Sequence, residues 1–161
     1  MDIRAAAFHH AGHAVAAHLS KYHVLAASLK VDSYGTGEIV AALSRRKLQT
    51  AGKAAEVSSR ADPEVAAGIA VILAAGLASE EIAAARSLCA GVDRSMSDGD
   101  FEVARSELRL AGLTDDTVPY RQAALELLNS NWQRVERIAE ALVLNGELDP
   151  EVVHDIIQRM N

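Results

Sequence analysis

The spacing of apolar residues predicts a chain built mainly from helices, with a little extended structure near the N-terminus. We expect a first helix from about Asp2 to Ser20, with alanines on one side and histidines on another. Val24 to Val31 and Glu38 to Leu43 flank a glycine-containing turn, which predicts a β-hairpin or two edge strands. Ser44 to Arg60 is polar and basic, and we interpret it as a mobile, solvated loop with room for one short helix.

The middle of the chain predicts a buried central helix. Asp62 and Pro63 form a helix start, since aspartate caps free N–H groups and proline loses no hydrogen bond in the first turn. The helix continues to about Ala85 and is apolar on nearly all sides, as expected of an element surrounded by others. A further helix opens at about Ser97 and ends near Gly112.

The C-terminal part predicts a helical pair. From Val118 to Leu144 the apolar residues recur at spacings of three and four, which indicates one long amphipathic helix stopped by Asn145 and Gly146. A short last helix starting at Pro150 would dock on it. The predicted fold class is therefore mainly α with a small β-hairpin or sheet (α+β).

Composition restricts the class of protein and its partners. With 161 residues, 50% of them hydrophobic, the chain is expected to form one soluble domain over residues 1–161. A net charge of −6 argues against nucleic acid as a partner. The single Cys89 excludes an internal disulfide and fits a reducing compartment, although a small buried residue is the favoured role. The apolar run Val65 to Ala78 is short for a membrane span, and no signal peptide is visible, so we expect a cytoplasmic domain without membrane insertion.

The candidate chemistry lies in the first helix, at Phe8-His9-His10-Ala11-Gly12-His13. Two imidazoles four residues apart lie about 40° from each other around a helix, so His9 and His13 can reach one metal ion. In the H-E-x-x-H signature of zinc proteases, a glutamate after the first histidine takes a proton from the attacking water, and here His10 occupies that place. Two histidines at this spacing are by themselves weak evidence, and ordinary surface or core histidines are the simpler interpretation. His18, His23 and His154 lie outside this register and are expected at the surface.

The order of features resembles the peptidase domain of the FtsH-type membrane AAA+ zinc proteases over nearly the whole chain. Five segments carry the resemblance: Phe8 to Val15 is similar to the zinc helix, Ala75 to Ile82 to the glutamate-pair helix, Ser97 to Ala104 to the third-ligand segment, Tyr120 to Ile157 to the C-terminal helical pair, and Gly37-Glu38-Ile39 to the substrate-binding edge strand. The resemblance implies a zinc metallopeptidase fold.

The resemblance also implies a ligand set. About one zinc ion per chain would be bound by His9, His13 and Asp100, with Asp98 as the nearby alternative to Asp100. Without the resemblance, both aspartates would simply complement the positive end of a helix dipole.

Two adjacent glutamates are candidates for orienting a ligand. In the family fold, Glu80 and Glu81 would lie close enough to hold a ligating side chain in place. A solvated or buried ion-paired role is the alternative for both.

Two departures from the family matter. The ATPase module and membrane helices are missing from this sequence, so a separate ATPase would be needed to unfold protein substrates. His10 replaces the general base, whose loss typically costs about 10²- to 10⁴-fold in rate. A neutral imidazole can accept a proton in its place, or it can bind the metal and close the open position that hydrolysis needs.

Three hypotheses follow. The first is a zinc metallopeptidase of weak or altered activity, in which His10 is the catalytic residue and peptides or unfolded segments lie along the hairpin edge. The second is a pseudo-peptidase that binds a peptide or partner at the same edge by β-addition. The third is a helical structural domain without metal. Family members assemble as rings, so the resemblance also makes an oligomer one possibility for this chain.

Overall fold

The computed structural model describes residues 2–32 and 41–160. The helices are α1 (Ile3–Leu19), α2 (Arg45–Thr50), α3 (Pro63–Ala85), α4 (Asp98–Leu110), α5 (Val118–Ser130), α6 (Trp132–Asn145) and α7 (Pro150–Gln158). The strands are β1 (His23–Leu25), β2 (Leu29–Lys30), β3 (Ala41–Leu43) and β4 (Glu147–Leu148), and 3-10 turns lie at Val57–Ala61 and Arg94–Ser97. The predicted fold class, mainly α with a small β component, is confirmed.

Helix α3 is the centre of the fold. It begins as predicted, with the Asp62 carboxylate accepting a 2.9 Å hydrogen bond from the backbone N–H of Glu64 and with Pro63 in the first turn. Helices α1, α4 and α5 pack around it. The helix extends beyond the apolar run Val65 to Ala78, and it is long and apolar enough to cross a membrane by length and composition alone, but 78% of its most apolar window is buried inside the fold.

Helices α1 and α3 approach each other closely because small residues lie between them. A Cβ on Gly12 would lie 2.6 Å from the Cβ of Ser79 and closer still to the carbonyl oxygen of Ala75. Side chains larger than hydrogen at position 12 therefore do not fit at this separation. Alanines fill most of the rest of the buried surface of α1: Ala5, Ala6, Ala7, Ala11, Ala14, Ala16 and Ala17.

The predicted long C-terminal helix is wrong, because the chain breaks at Asn131 into α5 and α6. The Asn131 side-chain amide donates a 2.8 Å hydrogen bond to the carbonyl oxygen of Leu127, while its backbone leaves the helical region. Trp132 then starts α6 and stacks on Phe8 at a centroid distance of 5.6 Å. Periodicity does not reveal the break, since Leu128 and Trp132 are buried on either side of it.

The predicted first strand, Val24 to Val31, is also divided. β1 pairs antiparallel with β3, placing His23 opposite Leu43. The turn expected at residues 32–37 lies, apart from Asp32, outside the described residues. β2 pairs instead with β4, placing Leu29 opposite Leu148. Both leucines are buried, so this pairing attaches the C-terminal segment to the core.

The basic segment from 44 to 60 is more regular than expected and part of its charge is used inside the fold. It holds α2 and the 3-10 turn at Val57–Ala61. The Lys47 ammonium donates hydrogen bonds to the carbonyl oxygens of Ala17, His18 and His23 at 2.5–3.3 Å. Lys47 thus caps the C-terminal end of α1, where carbonyl groups lack helical partners.

His23 is buried, so the expectation of a surface histidine is wrong here. The Ser20 hydroxyl lies 3.3 Å from His23 Nδ1 and accepts hydrogen bonds from the backbone N–H groups of Tyr22 and His23, which leaves its proton for the imidazole. Burial and the nearby Lys47 ammonium lower the pKa of His23 to about 4, although Glu107 acts in the opposite sense. His23 is therefore neutral in the folded protein at neutral pH.

We predict that Gly12→Ala lowers the free energy of unfolding by about 1–3 kcal/mol, because the new methyl group forces α1 and α3 apart. Gly91→Ala is the matched control, since no atom lies within 4 Å of a Cβ at that position. Urea denaturation measures both, and the control should change by no more than about 0.5 kcal/mol. Equal stability of the two variants would contradict the packing described.

We predict that His23→Gln flattens the pH dependence of stability between about pH 6.5 and 4. In this range the unfolded chain binds a proton at His23 that the folded protein does not, so the wild type loses stability as pH falls. Denaturation at pH 7 and pH 4.5 should show that the variant loses roughly 2–3 kcal/mol less than the wild type. Parallel pH profiles would show that His23 titrates normally.

Candidate metal centre

Helices α1 and α4 bring two imidazoles and a carboxylate together beside α3. His9 Nε2 lies 3.0 Å from His13 Nε2 and 3.2 Å from Asp100 Oδ2, and His13 Nε2 lies 3.1 Å from the same oxygen. All three residues are buried, and together they form a group able to hold a metal ion. The four-residue spacing on α1 and the position of Asp100 in the first turn of α4 produce this convergence.

The outer nitrogen of each imidazole is anchored to α3. His13 Nδ1 donates a 2.7 Å hydrogen bond to the carbonyl oxygen of Ile72, which can only accept. His9 Nδ1 lies 2.8 Å from Glu80 Oε2, and the other oxygen of Glu80 accepts a 3.0 Å hydrogen bond from the backbone N–H of Asp93. Each Nδ1 thus carries the proton in the neutral ring and each Nε2 presents its lone pair to the centre, as in proteins whose histidines bind metals.

Gly76 makes room for the two rings. A Cβ at this position would lie 2.5 Å from His9 Cε1 and 2.6 Å from His13 Nε2. Ile72, Gly76 and Glu80 follow one another at intervals of four, so they share one face of α3. This face of α3 therefore provides a hydrogen-bond acceptor for each imidazole. Gly76, between the two acceptors, leaves space for the rings.

The group of three donor atoms favours the presence of positive charge, as the pKa values of His9 and Asp100 indicate. Burial would lower the pKa of His9, but the hydrogen bonds and charges of Asp100 and Glu80 outweigh it and raise the pKa to about 9. Burial likewise opposes ionisation of Asp100, yet His13 and His9 hold the pKa of its carboxyl far below the usual range. A divalent cation would supply this positive charge in place of a proton, because its charge balances the two buried carboxylates of Asp100 and Glu80.

The spacing of the donors also fits a metal. Ligand atoms around a tetrahedral zinc ion, with bonds of about 2.0–2.1 Å, lie roughly 3.3 Å apart. The observed separations of 3.0–3.2 Å require only a small outward movement of the side chains. Two histidines and one carboxylate would leave a fourth position open, as in catalytic rather than structural zinc sites.

The other candidate residues lie around this group in different ways. His10 is almost completely buried, and its ring meets that of His9 edge-on at a centroid distance of 5.8 Å. Asp98 is exposed at the start of α4 and is not part of the donor group. The Glu81 carboxylate lies 3.9 Å from a guanidinium nitrogen of Arg94 and of Arg121, whereas the adjacent Glu80 contacts the imidazole.

Sequence reasoning missed two contributors to the site. No role was predicted for Gly76 or for the carbonyl group of Ile72. The available signal was a glycine within an apolar helix, where it costs about 1 kcal/mol relative to alanine and so indicates a close approach. A backbone carbonyl leaves no signal in the sequence at all.

Comparison with models of known protein families and with curated proteins finds no match for this chain. The resemblance to FtsH-type peptidases therefore stays a prediction from motifs. The structure shows a buried His-His-Asp group that is close enough to hold a metal ion.

We predict that Glu80→Gln weakens zinc binding about 10- to 100-fold, because the amide lacks the charge that orients His9 and makes it a stronger ligand. Glu81→Gln is the matched control, since it is the same change one residue later and leaves His9 untouched. Competition with a chromophoric zinc chelator measures both affinities. Equal weakening in the two variants would contradict the role given to Glu80.

Proposed function

We propose that this protein is a zinc metallopeptidase-like domain of the FtsH type, with one metal site formed by His9, His13 and Asp100. Peptide hydrolysis would be weak or altered, because His10 replaces the catalytic glutamate. The observation that carries the proposal is the buried donor group, in which both Nδ1 atoms are anchored and both Nε2 atoms face one carboxylate oxygen. Such anchoring is the usual environment of metal-binding histidines.

Each residue has a distinct role in this proposal. Zinc would supply a Lewis acid that lowers the pKa of an attacking water and polarises a peptide carbonyl. His9, His13 and Asp100 would hold it, and Glu80 and the Ile72 carbonyl fix the two rings in orientation. The burial of all the donors excludes bulk water and strengthens the electrostatic interactions within the site.

His10 determines how much turnover is possible. A neutral imidazole accepts a proton at one nitrogen, whereas a glutamate offers two oxygens on a longer, more flexible stem. His10 would therefore hold the proton at a different position relative to the attacking water and the leaving amine. Since a positioned general base contributes about 10²- to 10⁴-fold, we propose that activity is reduced by a factor in this range.

The replacement at position 10 also favours a second candidate function. A pseudo-peptidase would keep the metal and bind a peptide or partner protein without cutting it. The β1–β3 pair supplies short antiparallel strands beside α1, to which an extended peptide could add as a further strand. The edge strand suggested by Gly37-Glu38-Ile39 lies outside the described residues. In either case the proposed partner is a peptide or unfolded segment, and folded substrates would require a separate ATPase.

We predict that His10→Glu raises the hydrolysis of an unstructured fluorogenic peptide library by about 10²- to 10⁴-fold over the wild type. The new carboxylate would stand where the zinc-protease signature places its general base. The measurement is the initial rate with the zinc-loaded protein at pH 7.5.

Two control variants test whether the gain in rate comes from the new carboxylate acting together with the metal. His10→Gln removes the imidazole without adding a base, and the double variant His10→Glu/His13→Ala adds the base but removes a metal ligand. Both should show no gain in rate. A His10→Glu protein that binds zinc but cuts nothing would contradict the peptidase assignment and leave the binding function.

A further inference from the structure

We infer that a small cavity between α3, α4 and α5 is a binding site for a phosphate-class oxyanion. The cavity has a volume of about 180 Å³, and three arginines, Arg94, Arg105 and Arg121, lie in its wall. Leu77 of α3 contributes an apolar part of the wall. The cavity is separate from the His9, His13 and Asp100 donor group, none of whose members lines it.

The arginine charges in the cavity are only partly neutralised. Arg94 and Arg121 each have one guanidinium nitrogen 3.9 Å from the same oxygen of Glu81, close to the limit for an ion pair. Among the described residues, Arg105 has no ion pair. Of the described residues that line the cavity, Asp98 alone is acidic, and Glu81 pairs with two of the three arginines. The three arginines therefore exceed these two carboxylates by one charge. This excess stands out in a chain whose net charge is −6.

Two hydroxyl groups add neutral donors. Ser97 and Thr117 line the cavity and precede α4 and α5, but neither side chain makes the usual capping hydrogen bond. The Ser97 hydroxyl is buried and has no hydrogen-bond partner among the described residues. A buried hydroxyl without a partner is costly, and an oxyanion that entered as far as the Ser97 hydroxyl would give it one. The first turns of two helices, whose N–H groups favour negative charge, adjoin the same space.

The chemistry favours a phosphate group over a carboxylate. One guanidinium already satisfies a carboxylate by two parallel hydrogen bonds, whereas three guanidiniums from different segments match the several oxygens of a tetrahedral dianion. A volume of about 180 Å³ is below the roughly 300–1,000 Å³ of drug-sized ligand sites. The site therefore fits inorganic phosphate or the phosphate of a small ester.

The test is calorimetric titration of the full chain with inorganic phosphate at constant ionic strength. Arg105→Gln and Arg121→Gln should each weaken binding about tenfold or more, because each removes a charge-assisted hydrogen bond. Arg159→Gln is the control, since Arg159 is exposed on the terminal turn and remote in sequence from the cavity. The phosphate affinity of this control should stay within about twofold of the wild-type value. The metal ligands are unchanged in all three proteins, so phosphate bound at the metal would be affected in none of them.

Three results would overturn the assignment. No saturable binding to the wild type would show that the cavity holds no oxyanion. Equal affinities in the Arg105, Arg121 and Arg159 variants would place the phosphate elsewhere. Acetate bound as tightly as phosphate would contradict the choice of a tetrahedral dianion. Should the Arg121→Gln protein fail to fold, Arg94→Gln replaces it, because the Arg94 side chain is exposed.

Discussion

The close antiparallel contact of α1 with α3 is the constraint on which the rest of the structure depends. Gly12 lets the helices approach at one level, and Gly76 leaves space for two imidazoles at the next. At this separation His13 reaches the carbonyl oxygen of Ile72, and His9 reaches Glu80. A wider spacing would break both hydrogen bonds and leave buried polar atoms without partners, which is expensive in a protein interior.

The same contact concentrates charge in the core. Two carboxylates and three imidazoles, those of His9, His10 and His13, lie in a core whose other buried side chains are mostly apolar. Carboxylates are stable at such a place only if positive charge accompanies them. Positive charge comes either from protons, as the raised pKa of His9 indicates, or from a metal. A proton and a metal ion would therefore compete for one site, and a bound metal would contribute directly to the stability of the fold.

Much of the fold could be predicted from the sequence, because helix starts and stops have local physical causes. Asp62 with Pro63 and the glycine at 146, with its φ of +76°, mark real boundaries. The break at Asn131 could not be predicted, since buried residues continue in helical register through it. The pairing of β2 with β4 could not be predicted either, because it joins segments far apart in the chain.

In the candidate site, too, the local features could be predicted from the sequence and the features that depend on packing could not. The spacing of His9 and His13 is a local signal, and so is an aspartate in the first turn of a helix. Which of Glu80 and Glu81 faces the imidazole depends on the rotation of α3, and neighbouring helical residues differ by about 100°. The sequence alone has no means of choosing between them. The packing of α3 against α1 makes the choice, and it selects Glu80.

The most direct test of the central claim is the zinc content of the protein, measured by native mass spectrometry after purification without chelators. Wild type, His13→Ala and His154→Ala should be prepared side by side, the last as a control because His154 is exposed and outside the donor group. About one zinc per chain in the wild type and in His154→Ala, with none in His13→Ala, is the predicted result. Zinc that is absent from all three proteins, or retained in His13→Ala, would contradict the metal centre.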